Sequence, residues 1–256
     1  ALVGFNGYVC HVAVLGLLYV TLALGLNVVP GFTGLLDLGY VGFYAVGAYT
    51  AGLLSLNYGV SFWLALLLAA LNGAIWGVLR GAPTLRLTGD YFAIVTFGFS
   101  ELVVMVAKNE TWLTRGPMGL PGIAPPSAFG ASFRGEIPFY YLILTLAVLL
   151  IVSMRRIANS RVGRAWFAIR EDEVAAEACG IDVARYKVVA FALSAAIGAS
   201  AGAFYAHWIT FISPGTFQFW ESVLILCMIV LGGMGSIPGS LLGAVILVSL
   251  SEVLRS

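Results

Sequence analysis

Charge is scarce in this sequence. Its 256 residues include only thirteen Lys and Arg and twelve Asp and Glu, about 10% of the chain, against about a quarter in ordinary soluble domains. With 61% hydrophobic residues and a net charge of +1, the chain is neither an ordinary soluble domain nor disordered, because disorder needs low hydrophobicity and high net charge. The small net charge also argues against a nucleic-acid partner, which needs a basic surface.

Residues that carry chemistry are equally few. The three cysteines, Cys10, Cys179 and Cys227, lie far apart without a CxxC pair, so they are interpreted as small apolar residues rather than as a metal or redox site. We find no HExxH motif, no pair of catalytic carboxylates and no Ser/His/Asp set. No catalytic residue, metal site or bound cofactor is therefore expected. A phosphate-binding Gly-x-x-x-x-Gly-Lys-Ser/Thr loop is also absent, so this chain is not expected to hydrolyse ATP.

Long apolar runs are abundant instead. Seven of them are long enough to cross a hydrocarbon core, which takes about 20 helical residues: 9–29, 31–54, 61–79, 91–107, 138–154, 188–207 and 222–251. They are continuous rather than alternating, which favours helices over a membrane barrel. The sequence predicts an all-α, polytopic transmembrane helix bundle that forms a single domain over residues 1–256. The chain starts without Met, and its first apolar run is too long for a signal peptide, so further residues are expected upstream.

The basic residues predict the orientation. Seven crossings would place the loops 80–90 and 155–187 and the end 252–256 on one side of the membrane, and these hold ten of the thirteen Lys and Arg. Because cytoplasmic loops carry an excess of basic residues, this side is predicted to be cytoplasmic. The prediction changes if a broken segment re-enters the membrane instead of crossing it.

Two of the seven segments are predicted to be irregular. Residues 222–251 would form a helix of about 45 Å, and Gly232, Gly233, Gly235 and Pro238 are expected to break it. Broken helices at membrane depth are tolerated against protein or a water-filled cavity and often mark transport paths. Residues 31–54 are also rich in glycine. There the alternative is that the glycines only let helices pack closely.

The 155–187 loop carries twelve of the charges. A helix is predicted over Ala165–Ala178, ending at Gly180. Ala175 and Ala176 form a patch of small residues between charged flanks, to which another protein could come close. The alternative is a solvated helix held at the lipid headgroups by its arginines.

Ionisable and polar residues inside the spans are candidates for a transport path, since such groups are costly in a membrane. They are Asn27, Asp37, Tyr44, Thr96 and Glu101, with Glu221 and His207 predicted closer to the interface. The alternative for each is an interhelical hydrogen bond, worth about 0.6–2 kcal/mol.

Five stretches resemble the permease subunits of branched-chain amino-acid ABC importers, specifically the larger of the two paired permease types. These stretches are residues 25–49, 85–96, 115–120, 163–180 and 231–236. They include Gly34-Leu35-Leu36-Asp37-Leu38-Gly39-Tyr40, Arg115-Gly116-Pro117-Met118-Gly119-Leu120 and Leu231-Gly232-Gly233-Met234-Gly235-Ser236, in the order typical of that family, and the likeness covers nearly the whole chain.

The resemblance implies a coupling helix that docks on an ATPase subunit. Its Glu-Ala-Ala…Gly motif matches Val174, Ala175, Ala176 and Gly180, with the motif's Glu absent at 174 and Glu173 beside it. The residues implied in coupling are Arg170, Glu171, Glu173, Ala175, Ala176 and Gly180.

The implied partners are two ABC ATPase subunits that hydrolyse the ATP, a second homologous permease subunit, an extracytoplasmic substrate-binding protein and membrane lipid. The implied location is the bacterial inner membrane, and the implied cargo is leucine, isoleucine or valine. Two alternatives remain open: a permease of the same family for urea, amides or aromatic acids, and a self-sufficient channel or ion-coupled transporter.

Overall fold

The computed structural model describes residues 7–85, 87, 89–128, 131–132 and 135–255, and most of these are helical. The helices are α1 (Gly7–Leu26), α2 (Tyr40–Tyr58), α3 (Phe62–Thr84), α4 (Asp90–Asn109), α5 (Thr111–Thr114), α6 (Glu136–Ala158), α7 (Arg161–Glu171), α8 (Glu173–Ala178), α9 (Val183–Ile209), α10 (Phe219–Gly232) and α11 (Ile237–Arg255). A π-helical stretch, Val28–Thr33, follows α1 and is called the π segment below. Short 3₁₀ turns lie at Gly116–Met118 and Pro214–Thr216.

Among the described residues, four two-residue strands lie in the connections between helices. β1 (Leu120–Pro121) pairs antiparallel with β4 (Phe211–Ile212), and β2 (Ser127–Ala128) pairs antiparallel with β3 (Ala131–Ser132). The first pair ties the loop after α4 to the end of α9. The described part of this loop around β1 therefore packs on one end of the bundle.

Six helical stretches in the described part of the chain are long and apolar enough to cross a membrane: Gly7–Thr33, Phe62–Thr84, Tyr91–Asn109, Glu136–Ala158, Val183–Ile209 and Pro214–Gly232. The predicted all-α polytopic bundle is thereby confirmed. Its core lies around α2 and α9, where Tyr40, Phe43 and Phe204 are fully buried.

The second predicted segment, 31–54, does not form a helix throughout. The π segment continues α1 as far as Thr33, and α2 begins only at Tyr40, so residues 34–39 are not helical. Close packing also occurs, because a Cβ at Gly47 would lie 2.0 Å from the Ala199 carbonyl oxygen. Both interpretations of this segment therefore apply: the helix is interrupted before α2, and a glycine within α2 lets it pack closely on α9.

The prediction that 222–251 is one broken span is wrong. The chain reverses at residues 233–236, so α10 and α11 form a hairpin. A Cβ at Gly232 would lie 1.9 Å from the Gly239 carbonyl oxygen, and one at Gly243 equally close to that of Met228. The two arms are thus in backbone contact, which explains why glycines occupy both.

The hairpin also changes the predicted topology. The Tyr8 hydroxyl donates to Glu252, which places the end of α11 beside the start of α1. Glu136 marks the same end of the bundle, where its carboxylate contacts His11 on α1 (3.3 Å) and Trp208 on α9 (3.1 Å).

Residues 252–255 therefore lie opposite α7 and α8, and their predicted cytoplasmic position, including that of Arg255, is wrong. Arg80 lies inside α3 rather than in a loop. The predicted orientation now depends on the seven basic residues in 155–187 and stays a prediction.

This topology predicts opposite labelling of the two ends. In a chain with Cys10→Ala and Cys227→Ala, the exposed Cys179 should react with a membrane-impermeant maleimide only after cells are permeabilised. Adding Cys179→Ala and Ser251→Cys should make the chain react in intact cells. Labelling of Ser251→Cys only after permeabilisation would contradict the hairpin.

Candidate functional site

Two short helices, α7 and α8, form the end of the bundle that the basic residues assign to the cytoplasm. The Ser160 hydroxyl accepts a hydrogen bond from the Val162 N–H at 3.2 Å and caps α7. The Asp172 carboxylate accepts the N–H groups of Val174 (2.8 Å) and Ala175 (3.0 Å) and caps α8. Such caps satisfy N–H groups that have no partner within the helix.

The single helix predicted over Ala165–Ala178 is therefore wrong. Its break is at Asp172, whose backbone is extended (φ −159°, ψ 114°). The predicted end is confirmed: α8 stops at Ala178 and Gly180 has φ +82°. The sequence does contain a signal for this break. Asp172 is a typical N-cap residue, and Glu173 follows it in the first turn, where acidic residues are common.

Aromatic packing anchors α7 to the bundle. Trp166 is fully buried and donates its indole N–H to the Tyr186 carbonyl oxygen at 2.8 Å. Phe32 of the π segment stacks on Trp166 with 6.2 Å between ring centroids and meets Phe167 edge-on at 5.2 Å. A displacement of α7 must therefore also displace the π segment or break these contacts.

An ion pair fixes the rotation of α8. Lys187 at the start of α9 is only 2% exposed, and its Nζ lies 2.6 Å from Glu173 Oε1. As a result Ala176 faces inward and is buried, while Val174 is 77% exposed and Ala175 is exposed. Of the two alanines proposed for docking, the structure leaves only Ala175 on the accessible face.

Arg170 lies where three elements meet. Its Nη1 donates to the Gly31 carbonyl oxygen of the π segment at 2.7 Å. The Gly235 N–H, in the hairpin turn, donates to Asn27 Oδ1 at 2.9 Å. Gly235 has φ +86°, and a Cβ there would lie 2.5 Å from Arg170 Nη1, so only glycine fits. We call Asn27, Gly31, Arg170 and Gly235 the inner seam.

The inner seam joins residues that the sequence suggested for different reasons: Asn27 for the path, Arg170 for coupling and Gly235 for the helix break. Glu171, also implied in coupling, is exposed at the end of α7. Gly233 has φ +93° and forms the turn, and Pro238 lies in the first turn of α11, where proline is tolerated. Sequence reasoning could not find this convergence, because the contacts span up to 208 positions.

Asp37 forms a buried, bidentate ion pair with Arg80. The Arg80 Nη1 lies 3.0 Å from Asp37 Oδ1 and Nη2 lies 2.5 Å from Oδ2, with the carboxylate side chain fully buried. The guanidinium also lies over the Phe43 ring, 4.4 Å from its centroid. The sequence analysis missed this partner because Arg80 was assigned to a loop. The available signal was a lone arginine continuing an apolar run.

The non-helical residues 34–39 are held by side chains from several elements. The Gly39 N–H donates to Asp37 Oδ1 at 2.9 Å and the Leu38 N–H to Thr96 Oγ1 on α4 at 3.1 Å. The Val41 N–H donates to Ser222 Oγ on α10 at 3.1 Å. Asp37 and Thr96, both suggested for the path, thus form hydrogen bonds that hold the start of α2.

The remaining path candidates lie apart. Tyr44 lines a cavity of about 170 Å³, which also contains Glu221. Glu101 is half-buried on α4 and has no hydrogen bond or ion pair within the described part of the chain. His207 is buried near the opposite end, with Nδ1 2.6 Å from the Ala124 carbonyl oxygen. The five suggested path residues therefore do not line one channel within this chain.

Among the described residues, no group of three His, Cys, Asp or Glu side chains could hold a metal ion. What the structure contains is a multi-pass helical bundle with an irregular connection, residues 34–39, held by polar side chains of neighbouring helices, and a charged end formed by α7 and α8. This combination is typical of membrane transport proteins.

Comparison with known proteins identifies the family. Residues 8–256 match the model of the branched-chain amino acid transport system/permease component family, and the chain belongs to it. It is 43% identical, over 95% of its length, to the high-affinity branched-chain amino acid transport system permease protein LivM of Escherichia coli (strain K12) and to that of Salmonella typhimurium. The chain spans 63% of the length of each.

Other relatives are more distant. The permease protein LivH of the same system in Salmonella typhimurium is 29% identical over 98% of this chain and 84% of its own length. The autoinducer 2 import system permease protein LsrC of an Enterobacter species is 26% identical over 78% of this chain and 58% of its own length. No solved structure is a significant match.

The buried ion pair predicts a strong stability effect. Asp37→Asn or Arg80→Met alone should lower the free energy of unfolding by about 3–5 kcal/mol, because each leaves a buried charge without its partner. Asp37→Asn combined with Arg80→Met should recover much of the loss, because Asn still accepts the Gly39 N–H and no buried charge remains. Thermal unfolding of the purified chain measures both, with Arg161→Met on the exposed start of α7 as control. Additive effects of the two single changes would contradict the coupling.

Proposed function

We propose that this chain is the membrane-spanning permease subunit of an ATP-driven importer of branched-chain amino acids. It carries out no chemistry on the cargo and binds no cofactor; paired ATPase subunits hydrolyse the ATP. A second, homologous permease completes the channel, and an extracytoplasmic binding protein delivers leucine, isoleucine or valine. The site of action is the bacterial inner membrane.

One observation carries this proposal: α8 presents Val174, 77% exposed, at the end of the bundle that bears the charged loop. An exposed aliphatic side chain between charged residues suits insertion into an apolar groove of a protein partner. The partner is proposed to be an ATPase. Residues Glu171, Val174 and Ala175 would contact it, while Ala176 supports α8 from within.

The inner seam connects the docking region, α7 and α8, to the π segment and the hairpin turn within the bundle. ATPase closure would displace α7, and Arg170 would transmit the displacement to the π segment and the hairpin turn. π-helical segments often occur at functional sites in helices. Transport then follows from a shift between two packed states, inward-open and outward-open.

Two observations weigh on the alternatives. Asp37 and Glu101 were the support for an ion-coupled transporter; the charge of Asp37 is balanced by Arg80, whereas Glu101 has no ion pair among the described residues and remains its support. The higher identity to LivM than to the autoinducer 2 permease favours amino acids as the cargo. Urea, amides and aromatic acids have no specific observation in their favour.

Docking through α8 predicts that Val174→Glu weakens association with the ATPase about tenfold or more, because a charge would enter an apolar contact. Tyr58→Glu is the matched control, since Tyr58 is equally exposed, at 77%, at the end of α2 remote from α8. Quantitative co-purification from gentle detergent measures both. Equal recovery of the ATPase with Val174→Glu and with the unchanged chain would refute docking at α8.

Transmission through the inner seam predicts that Arg170→Ala uncouples ATP hydrolysis from transport. The ATPase should still co-purify, but the cargo moved per ATP hydrolysed in proteoliposomes should fall, with partial recovery in Arg170→Lys. Arg164→Ala is the control, because Arg164 on the same helix bonds only the nearby Asn159 carbonyl oxygen. An unchanged transport-to-hydrolysis ratio in Arg170→Ala would exclude this route.

A further inference from the structure

A small, partly enclosed cavity lies between α1, α2, α9 and α10. Its volume is about 170 Å³, and its polar lining consists of Tyr19, Tyr44, Tyr205, Thr216 and Glu221. Drug-sized pockets measure about 300–1,000 Å³, so this cavity fits only a small solute. None of the contacts that hold the start of α2 or form the inner seam uses these five side chains.

The cavity contains a carboxyl group with a free position. The Tyr19 hydroxyl donates to Glu221 Oε2 at 2.9 Å. Within the described residues no Lys, Arg or His pairs with Glu221, and Oε1 receives no hydrogen bond. An acidic group inside a membrane span without a cationic partner is costly and indicates function. A donor that carries positive charge would fit this position.

The rings of Tyr19, Tyr44 and Tyr205 line the same cavity. The Tyr44 ring centroid lies 5.6 Å from that of Tyr205 and 5.1 Å from that of Phe217. Ring faces attract cations, and tyrosine and threonine hydroxyls can donate to a carboxylate. Polar groups for both charges of a zwitterion therefore lie around one small space.

The remaining lining is aliphatic. Leu15, Leu18 and Leu22 on α1 and Ile225 on α10 complete the wall. The first three are spaced by three or four residues and so lie on one face of the helix. A branched hydrocarbon side chain would be buried against this face without leaving a polar group unsatisfied.

We propose that this cavity binds one aliphatic α-amino acid, with its ammonium group on Glu221, its carboxylate at the hydroxyls of Tyr205 and Thr216, and its side chain against the leucines of α1. The site rests on the proposed function and assigns the recognition of cargo to this chain. A site at membrane depth inside the bundle matches the general position of substrate sites in transporters.

Direct binding of radiolabelled L-leucine to the purified, lipid-reconstituted chain tests the site without any ATPase. Saturable binding at up to millimolar leucine is expected. Glu221→Gln should raise the Kd at least about tenfold, the equivalent of one lost charged contact. Glu136→Gln is the matched control, because Glu136 is another half-buried acidic residue in a helix of the bundle and lies outside the cavity, and it should leave the Kd unchanged.

Ligand analogues make the test independent of the variants. 3-Methylbutylamine lacks the carboxylate and should compete weakly, whereas 4-methylpentanoate lacks the ammonium group and should not compete at all. Equal competition by both analogues, binding of sodium ions in place of leucine, or no saturable leucine binding would overturn the site. Binding that survives Glu221→Gln would overturn it as well.

Failure of this site is distinguishable from failure of the proposed function. If Glu221→Gln chains assembled with their ATPase still drive leucine uptake at the unchanged rate and KM, the importer proposal stands and the cavity is not the cargo site. If the unchanged chain neither associates with an ATPase nor supports uptake, the proposed function fails, whatever the cavity binds.

Discussion

The buried carboxylate of Asp37, in the six non-helical residues that join the π segment to α2, imposes the constraint on which the rest of the structure depends. A buried charge needs an ionic partner, and backbone N–H groups buried away from water need hydrogen-bond acceptors from the protein. In residues 34–39 and the start of α2, these acceptors are Asp37, Thr96 and Ser222. Arg80 then balances the charge that Asp37 brings in.

This constraint determines how several helices are placed. Thr96 comes from α4, Ser222 from α10 and Arg80 from α3, so three helices converge on one short stretch of chain. Asp37 and Thr96, two of the residues suggested for a transport path, form hydrogen bonds that hold the start of α2. Polar groups in membrane spans are costly. Here the cost is offset by the hydrogen bonds and the ion pair that these side chains form around the start of α2.

The helices were predictable because the apolar runs are long and their flanks are charged or rich in glycine and proline. The direction of 222–251 was not, because a cluster of glycines indicates an interruption without indicating a reversal. The positions of Gly232, Gly239 and Gly243 are consistent with a reversal, because these glycines lie where the two arms touch. This relation can be recognised only when the structure shows that the arms face each other. The break at Asp172 had a local signal in its capping chemistry.

The site was predictable in its parts and not in its assembly. Asn27, Arg170 and Gly235 were each identifiable by residue type, but their meeting depends on contacts between distant segments. The inward rotation of Ala176 likewise depends on Lys187, eleven positions beyond it, through its ion pair with Glu173. Neither contact leaves a periodic pattern in the sequence.

The backbone contact between the arms of the hairpin has a mechanical consequence. Gly232 and Gly239 bring the backbones of the two arms into direct contact near the turn, without side chains between them. A displacement of the turn is therefore expected to move both arms together. From Gly232 to Glu221, α10 spans about 17 Å. A displacement of the hairpin turn would therefore be carried along α10 toward the tyrosine-lined cavity, within the length of a single short helix.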